Sequence, residues 1–504
     1  MNIAENIRQI HFVGIGGASM SKLARAAGEQ GYAVTGSDLL CGPAFDGLAA
    51  AGVRAYTGHR AENIGNADLI VATAAIPADN PELLAAAARK IPVMGRAEFL
   101  GRLCDGFQSV AAFAGCHGKT TASGMAGYIL QKAGLRPALH IGGELCRDGE
   151  TEDRRDGLGA GRGSGLCGGG TMGDGAQEDG RNGSGARRGG ELCRGDTTGR
   201  GGARSVMVVE ACEYKRGFLQ IRADFPVILN IGADHLDCYK DLREIKGAFA
   251  DFLRVRRAGG AVIANGDDRN TADALRGAGC GAVLFGFGKN CEYRARGLSE
   301  EGGRFSFDLY ERGEKLARAS LGVPGRHNVY NALAAAAVAR RYGVTKAAVA
   351  AALWDFAGMK RRFEYRAEVN GAKIFHDYAH HPDEIAAVFR AARLMKPARL
   401  VCVFQPHTYS RTKNLLNEFV RVLRLADVAV IADVYAARET PDLSVSGRIL
   451  CGKVNGAGRG AKKACRYFPS FGEIREFLSG ELKRGDLCLA LGAGDIDGLY
   501  GIEN

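Results

Sequence analysis

Residues Ser109 to Ser123 read SVAAFAGCHGKTTAS, and this stretch decides the fold. An apolar run, Val110 to Ala114, has the character of a short buried strand. It enters a turn flanked by Gly115 and Gly118, and a helical pattern follows from Ala122 to Ala133. A strand, a glycine turn and a helix N-terminus together make an anion site, because unpaired backbone N–H groups and the helix dipole face the same point. Gly115, Cys116, His117, Gly118, Lys119, Thr120 and Thr121 would form the cradle, with Lys119 on the outer phosphates and the Thr120 hydroxyl on a divalent cation. The spacing departs from G-x-x-x-x-G-K-[ST], since Phe113 stands where the first glycine belongs. The reading is a nucleoside triphosphate loop; the plainer alternative is a basic turn that caps a helix.

Working outward, 504 residues exceed one ordinary core and suggest three domains. The chain has 67 Lys and Arg against 56 Asp and Glu, a net +11, yet no basic run is interleaved with aromatics, so nucleic acid is not an expected partner. Its 14 cysteines are scattered, without a C-x-x-C, and Cys402 and Cys488 lie inside apolar strand runs. That usage fits a reducing cytosol. No apolar run approaches membrane-spanning length, and MNIAENIRQIHFVGIGG lacks the charged-then-apolar order of a leader; a cytoplasmic protein without membrane insertion is expected.

The fold class is α/β, with three domains in series: a Rossmann-like domain over 1–107, a central phosphate-loop ATPase domain over 108–324 and a second Rossmann-like domain over 325–504. In the first, the strand Ile10–Val13 meets Gly14-Ile15-Gly16-Gly17, and Asp38 follows Gly14 by 38 − 14 = 24 residues. The pattern is that of a dinucleotide loop, but Ser19 replaces the third glycine, and the same loop physics accepts the diphosphate of a UDP-sugar. An NAD(P)-dependent oxidoreductase is the alternative from another class; it leaves the GKT loop unused. Gly101 to Gln108 reads as a linker. From Arg147 to Arg204 aliphatic residues are few and aromatics absent, and GGELCR occurs at 142–147 and again at 189–194. Such a composition cannot offset its ordering entropy, so a disordered surface insertion is expected, with a regulatory arm as the alternative.

Two acidic sites follow the phosphate loop. Glu210 ends the apolar run Val206–Val209 and is the preferred metal ligand over Glu213. Asp234-His235-Leu236-Asp237 follows another strand run, which makes His235 a second candidate ligand.

GCHGKTT, VVEACE, NIGADHLD, PGRHNVYNALAA, GMKRRFE, DYAHHPDEI and FQPHTYSRT occur here in one order, and that ordered set resembles the Mur ligases, the ATP-dependent amide ligases of peptidoglycan synthesis. The resemblance covers the chain outside 147–204. GIGGASMS, DYAHHP and FQPHTYSRT are most similar to the branch that joins L-alanine to UDP-N-acetylmuramate, with Mg²⁺ as the metal. The resemblance implies a UDP-substrate site at Gly14, Ile15, Gly16, Gly17, Asp38 and His59. It places His327, Asn328 and Asn331 against adenine, Arg362 and Asp377 near the ATP phosphates and ribose, and His407, Tyr409 and Arg411 near the muramyl carboxylate and the alanine. Catalysis would rest on Lys119, Glu210, His235 and Arg362, with Thr120, Glu210 and His235 as metal ligands. The rival within the family adds a ready-made tripeptide; a non-catalytic binding protein is a further alternative. Cys116, Gly232 and His376 depart from the family's usual residues, and His380 and His381 have a simpler role available as caps of the helix beginning at Pro382. No pattern specifies an oligomeric state.

Overall fold

The computed structural model describes residues 7–39, 43–146, 205–233, 238–437, 439–456 and 464–500. The expectations for 147–204 and for His235 lie outside the described residues.

Three sheets follow one another along the chain. The first holds β1 (Gln9–Val13), β2 (Ala33–Asp38), β3 (Arg54–Thr57), β4 (Leu69–Ala72) and β5 (Val93–Gly95) in the order β3-β2-β1-β4-β5, all parallel. Strand order reverses between β1 and β4, so the glycine loop after β1 opens into the crevice where doubly wound sheets bind ligands. The middle sheet has nine strands: β6 (Ser109–Ala114), β7 (Ala138–His140), β8 (Val206–Glu210), β9 (Phe225–Ile228), β10 (Ile263–Asn265), β11 (Val283–Gly286), β12 (Tyr293–Glu301), β13 (Arg304–Glu311) and β14 (Glu314–Pro324). They lie in the order β14-β13-β12-β11-β10-β9-β6-β8-β7, parallel except where β12, β13 and β14 run antiparallel. The third sheet contains β15 (Glu364–Val369), β16 (Ala372–Asp377), β17 (Leu400–Phe404), β18 (Val428–Ile431), β19 (Ala464–Tyr467) and β20 (Leu487–Leu491), ordered β15-β16-β20-β17-β18-β19.

Every residue of β6 is buried, as a parallel strand covered on both faces requires. Its side chains divide by alternation. Ala111 and Phe113 enter the core under the helix Lys119–Lys132, whereas Val110, Ala112 and Ala114 join a core that continues into the first domain through Phe12, Phe99 and Leu103. The helix Arg96–Asp105 carries that continuity, with Phe99 edge-on to Phe12 at 5.4 Å. The linker expected at Gly101–Gln108 is therefore mostly the end of this helix. Gly101 is buried there, and a Cβ on it would lie 2.0 Å from the Gln220 carbonyl oxygen, so only glycine lets the helix approach the turn Tyr214–Gln220.

A second difference concerns the boundary at 325. The helix His327–Arg341 packs against the helix Lys119–Lys132, and the helix Lys346–Asp355 against β14; Val329, Leu333, Val349 and Leu353 belong to the same core as Val208 and Phe285. The core residues of the third sheet begin only at Phe375 and Ala372. We therefore place the third domain from about Arg361, after a crossing in which Gly358, Arg361 and Phe363 take φ values of 109°, 60° and 48°. The alanine-rich run through 332–339 is buried at every position, and burial on all sides is what that composition serves.

Gly101→Ala tests the interdomain packing. Forcing a methyl against backbone costs about 1–3 kcal/mol, so the urea midpoint falls; an unchanged midpoint would show that the helix and the turn are not in contact.

Candidate active site

The loop Gly115–Thr121 sits at the C-terminal end of β6 and opens the helix Lys119–Lys132. Gly118 precedes that helix with φ 85°, and a Cβ on it would meet the Asn331 Oδ1 at 2.6 Å. Asn230, just past β9, straps the loop: its carbonyl accepts from the Cys116 N–H at 3.2 Å, and its side-chain oxygen accepts from the His117 N–H at 2.9 Å. The Cys116 and His117 amides thus hold the loop's shape, and the N–H groups at the helix start are those left to face an anion.

The Lys119 ammonium lies against the Gly115 and Cys116 carbonyls and both oxygens of Glu213, at 3.1 and 3.0 Å. Burial alone would lower its pKa, but Glu213 and its neighbours raise it above the ordinary lysine value, and the group is charged. Glu213 is 1% exposed. Sequence reasoning ranked it behind Glu210 because it does not end the strand; the signal available was a carboxylate beyond the strand run that follows the loop lysine. The Thr120 hydroxyl donates to Glu210 Oε2 at 2.9 Å, and the Gly142 N–H donates to the same oxygen at 2.7 Å. Thr120 and Glu210 are thus together, as the sequence suggested. Two hard oxygen donors beside a phosphate loop fit Mg²⁺. Among the described residues no group of three His, Cys, Asp or Glu side chains gathers as a closed metal site, so phosphate and water oxygens would complete the shell.

In the first domain the Gly14 and Ile15 N–H groups donate to the Ser37 carbonyl at 2.8 and 2.9 Å, and the Gly16 N–H donates to Asp38 Oδ2 at 2.9 Å. Asp38 therefore shapes the glycine loop. The Ile15 side chain is buried. A Cβ on Gly14, at φ 84°, would strike Thr73 at 2.6 Å. His59 faces Ser37 at 2.9 Å and the buried Glu82 at 3.2 Å. Glu82 also accepts from Ser37 at 2.6 Å and Asn63 at 2.6 Å. Burial pushes the Glu82 carboxyl up, but the His11 ring 3.7 Å away and the bonds from Ser37 and Asn63 prevail and hold it down at about 2. Ser19, standing for the third glycine, lies 3.1 Å from His140 Nε2 across the domain junction.

From the other side, Asn331 donates to Asn328 at 2.9 Å, and Asn328 to the Pro324 carbonyl at 2.7 Å. Burial, with Arg390, His117 and Arg362 nearby, pushes His327 down to about 4. Asp377 ends β16 and accepts from the Phe363 and Ala379 N–H groups, both at 2.8 Å, and Arg362 lies 5.3 Å over the Tyr378 ring. A chain of contacts then joins the loop to the third domain: His117 to Glu384 at 3.8 Å, Glu384 to His380 at 3.5 Å, His380 to the His407 ring at 5.8 Å, and Arg411 to His407 Nδ1 at 3.0 Å. Tyr409 opens the short helix beside them. His381 caps the helix Pro382–Leu394 in a reciprocal box with Glu384. His376, the departure on β16, is buried and driven down to about 3 by burial and by Arg361 and Arg366, and neither ring nitrogen has a hydrogen-bond partner among the described residues. The Cys116 and Gly232 departures touch each other, the Gly232 N–H donating to the thiol sulfur at 3.0 Å.

A phosphate loop with a paired lysine on a middle sheet, between a glycine-loop domain and a third α/β domain, defines a three-domain nucleotide-loop protein. The chain belongs to the Mur ligase family: the family's catalytic-domain, middle-domain and glutamate-ligase-domain patterns match residues 9–108, 201–339 and 361–494. It is 36% identical over 495 residues to the UDP-N-acetylmuramate--L-alanine ligase of Clostridium beijerinckii, covering 98% of this chain and 97% of that one. It is 38% identical over 494 residues to the enzyme of the same name from Clostridium novyi, covering 98% and 96%. Among solved structures it resembles a UDP-N-acetylmuramate-alanine ligase from Thermotoga maritima, with TM-score 0.73, 25% identity and coverage of 98% and 97%.

The Glu82 network predicts an acid-sensitive first domain. A carboxyl depressed from 4.5 to about 2 contributes stability above pH 4.5 that is lost as pH falls through 2, roughly 3 kcal/mol in all. Glu82→Gln removes that titration, so urea unfolding between pH 5 and 2 becomes less pH-dependent than in the wild type; parallel curves would refute the assignment.

Proposed function

We propose that this chain joins L-alanine to the lactyl carboxylate of UDP-N-acetylmuramate, converting ATP to ADP and phosphate. The observation that carries the reading is the match, along nearly the whole chain, to relatives that bear that activity in their names. The geometry supports the chemistry. A carboxylate is a poor electrophile and must first take the γ-phosphoryl group as an acyl phosphate; the alanine amine then adds to the carbonyl carbon, and phosphate leaves as the amide forms. Such a path needs positive charge on the transferring group more than a nucleophilic side chain. Lys119 supplies a permanent cation at the loop. Thr120 and Glu210, with His235, would hold Mg²⁺, which when bound neutralises phosphate charge.

The first domain would bind the UDP portion through the Gly14–Gly17 loop, Asp38 and His59, and the central domain would take ATP. His327, Asn328 and Asn331 would line the adenine, with Arg362 and Asp377 completing the nucleotide site from the third domain. His407, Tyr409 and Arg411 would face the muramyl carboxylate and the alanine. Burial, then His380 and Arg411, lower His407 to about 4, so it meets its ligand as a neutral imidazole. Among the described residues no helix is long and apolar enough to cross a membrane, which accords with a cytoplasmic role in peptidoglycan precursor synthesis.

Phosphate release from ATP with UDP-N-acetylmuramate, measured with each amino acid and with a stem tripeptide, tests the reading. L-Alanine should give the highest kcat/KM; release supported only by tripeptide would assign the chain to the peptide-adding branch. Lys119→Ala should lower kcat by about a hundredfold or more, and near-normal turnover in the folded variant would exclude the loop from phosphoryl transfer. Glu210→Gln should raise the Mg²⁺ concentration that gives half-maximal rate; an unchanged Mg²⁺ response would remove Glu210 from the metal site.

A further inference from the structure

Ser19 and Lys22 stand three residues apart on the helix Ala18–Glu29 and so share one of its faces. That face docks on the middle domain. Ser19 Oγ meets His140 Nε2 and accepts from Arg96 Nη1, each at 3.1 Å. Lys22 Nζ donates to the carbonyl oxygens of Ile141 at 2.8 Å and Gly143 at 3.1 Å. Between those two carbonyls lies the Gly142 N–H, which donates to Glu210 Oε2, the oxygen that also receives the Thr120 hydroxyl.

An ammonium bonded to the carbonyls on either side of a residue bends the backbone around itself. Here it turns the enclosed N–H toward Glu210. Both positions are crowded: a Cβ on Gly142 would lie 2.8 Å from Glu210 Oε2, and one on Gly143 would lie 3.0 Å from Thr120 Cγ2. Two successive glycines have little conformational preference of their own, so the turn depends on an external clamp. Lys22 is that clamp, and it stands on the helix that follows the Gly14–Gly17 loop. Glu144 and Glu210 are the acidic groups around it, Arg25 a neighbouring cation.

We infer that Lys22 is a positioning residue for the ligation: from the sugar-nucleotide domain it fixes the Ile141–Gly143 turn and thereby the Glu210 carboxylate beside Thr120. The inference rests on the reading of Glu210 given above. It makes the docking of the first domain a condition for an ordered phosphate site in the second, so the two substrates' sites are tied by one side chain.

Lys22→Met keeps the aliphatic stem and removes the ammonium. In the full-length protein it should lower kcat about tenfold and raise the Mg²⁺ concentration for half-maximal rate several-fold, with the KM for UDP-N-acetylmuramate within twofold. If Lys22 acts through Glu210, adding Lys22→Met to Glu210→Gln should cost less than twofold further. Amide hydrogen exchange, measured without substrates, should accelerate about tenfold in a peptide spanning 138–146 and remain unchanged in the helix Lys119–Lys132. Multiplying losses in the double variant, an unchanged 138–146 peptide, or a defect confined to the UDP-N-acetylmuramate KM would each overturn the proposal. The exchange result needs no turnover, so a wild-type protein inactive on UDP-N-acetylmuramate would refute the functional reading and leave Lys22 to be judged by exchange.

Discussion

A charged ammonium held almost out of water at the end of β6 sets the terms for the rest of the molecule. Lys119 is 12% exposed, and its charge survives there because Glu213 is 3.0 Å away. Neither group is tolerable alone in that position, since an unpaired buried charge costs several kcal/mol. The pair requires β6 and β8 to be adjacent and parallel with their C-terminal ends together, which is how they lie. Parallel strands so placed must be covered on both faces. One cover is the helix Lys119–Lys132 with the helices after β14; the other reaches the first domain through the helix Arg96–Asp105. The three-domain arrangement thus grows from the need to keep one lysine charged at the crest of a buried sheet.

Much of this was legible in the sequence, for a physical reason. Buried parallel strands are continuous apolar runs, so Val110–Ala114, Val206–Val209, Leu400–Phe404 and Leu487–Leu491 declare themselves, and a GKT triplet between a strand and a helix has little else to be. What escaped the reading depends on contacts distant along the chain. Glu213 is marked only by the lysine 94 residues before it. Gly101 looked like a linker glycine because its reason, the Gln220 carbonyl, lies on another element. Cys116 and Gly232 each read as an isolated departure, yet they form one contact across 116 residues, thiol against peptide. The bond from the Cys116 N–H to the Asn230 carbonyl is likewise a contact distant along the chain.

The junction with the third domain shows a different economy. His117, Glu384, His380 and His407 form a relay of contacts between domains, and burial keeps His380 below the ordinary histidine value. Glu384 is the exception that stays ionised: burial pushes its carboxyl up, but His117, His380 and Arg362 bring it well below the usual range. One anion among these imidazoles and arginines gives the interface an electrostatic centre. The same Glu384 completes the helix cap at His381, so the element that presents the third domain's residues is fixed by the residue that meets the loop.

The placement of β7 has a consequence for how the chain reaches its native state. Among the described residues β7 pairs only with β8, and its Ala138 is matched to Met207, 207 − 138 = 69 residues later. A ribosome therefore delivers β7 long before its sole hydrogen-bonding neighbour, and an edge strand waits with its N–H and C=O groups unmatched. Lengthening a connection raises closure entropy only logarithmically, about 0.6 kcal/mol per doubling, so the native sheet is scarcely weakened. The burden falls on time: remote pairings slow folding, and the interval in which β7 is open to wrong partners is set by the span of chain that separates it from β8.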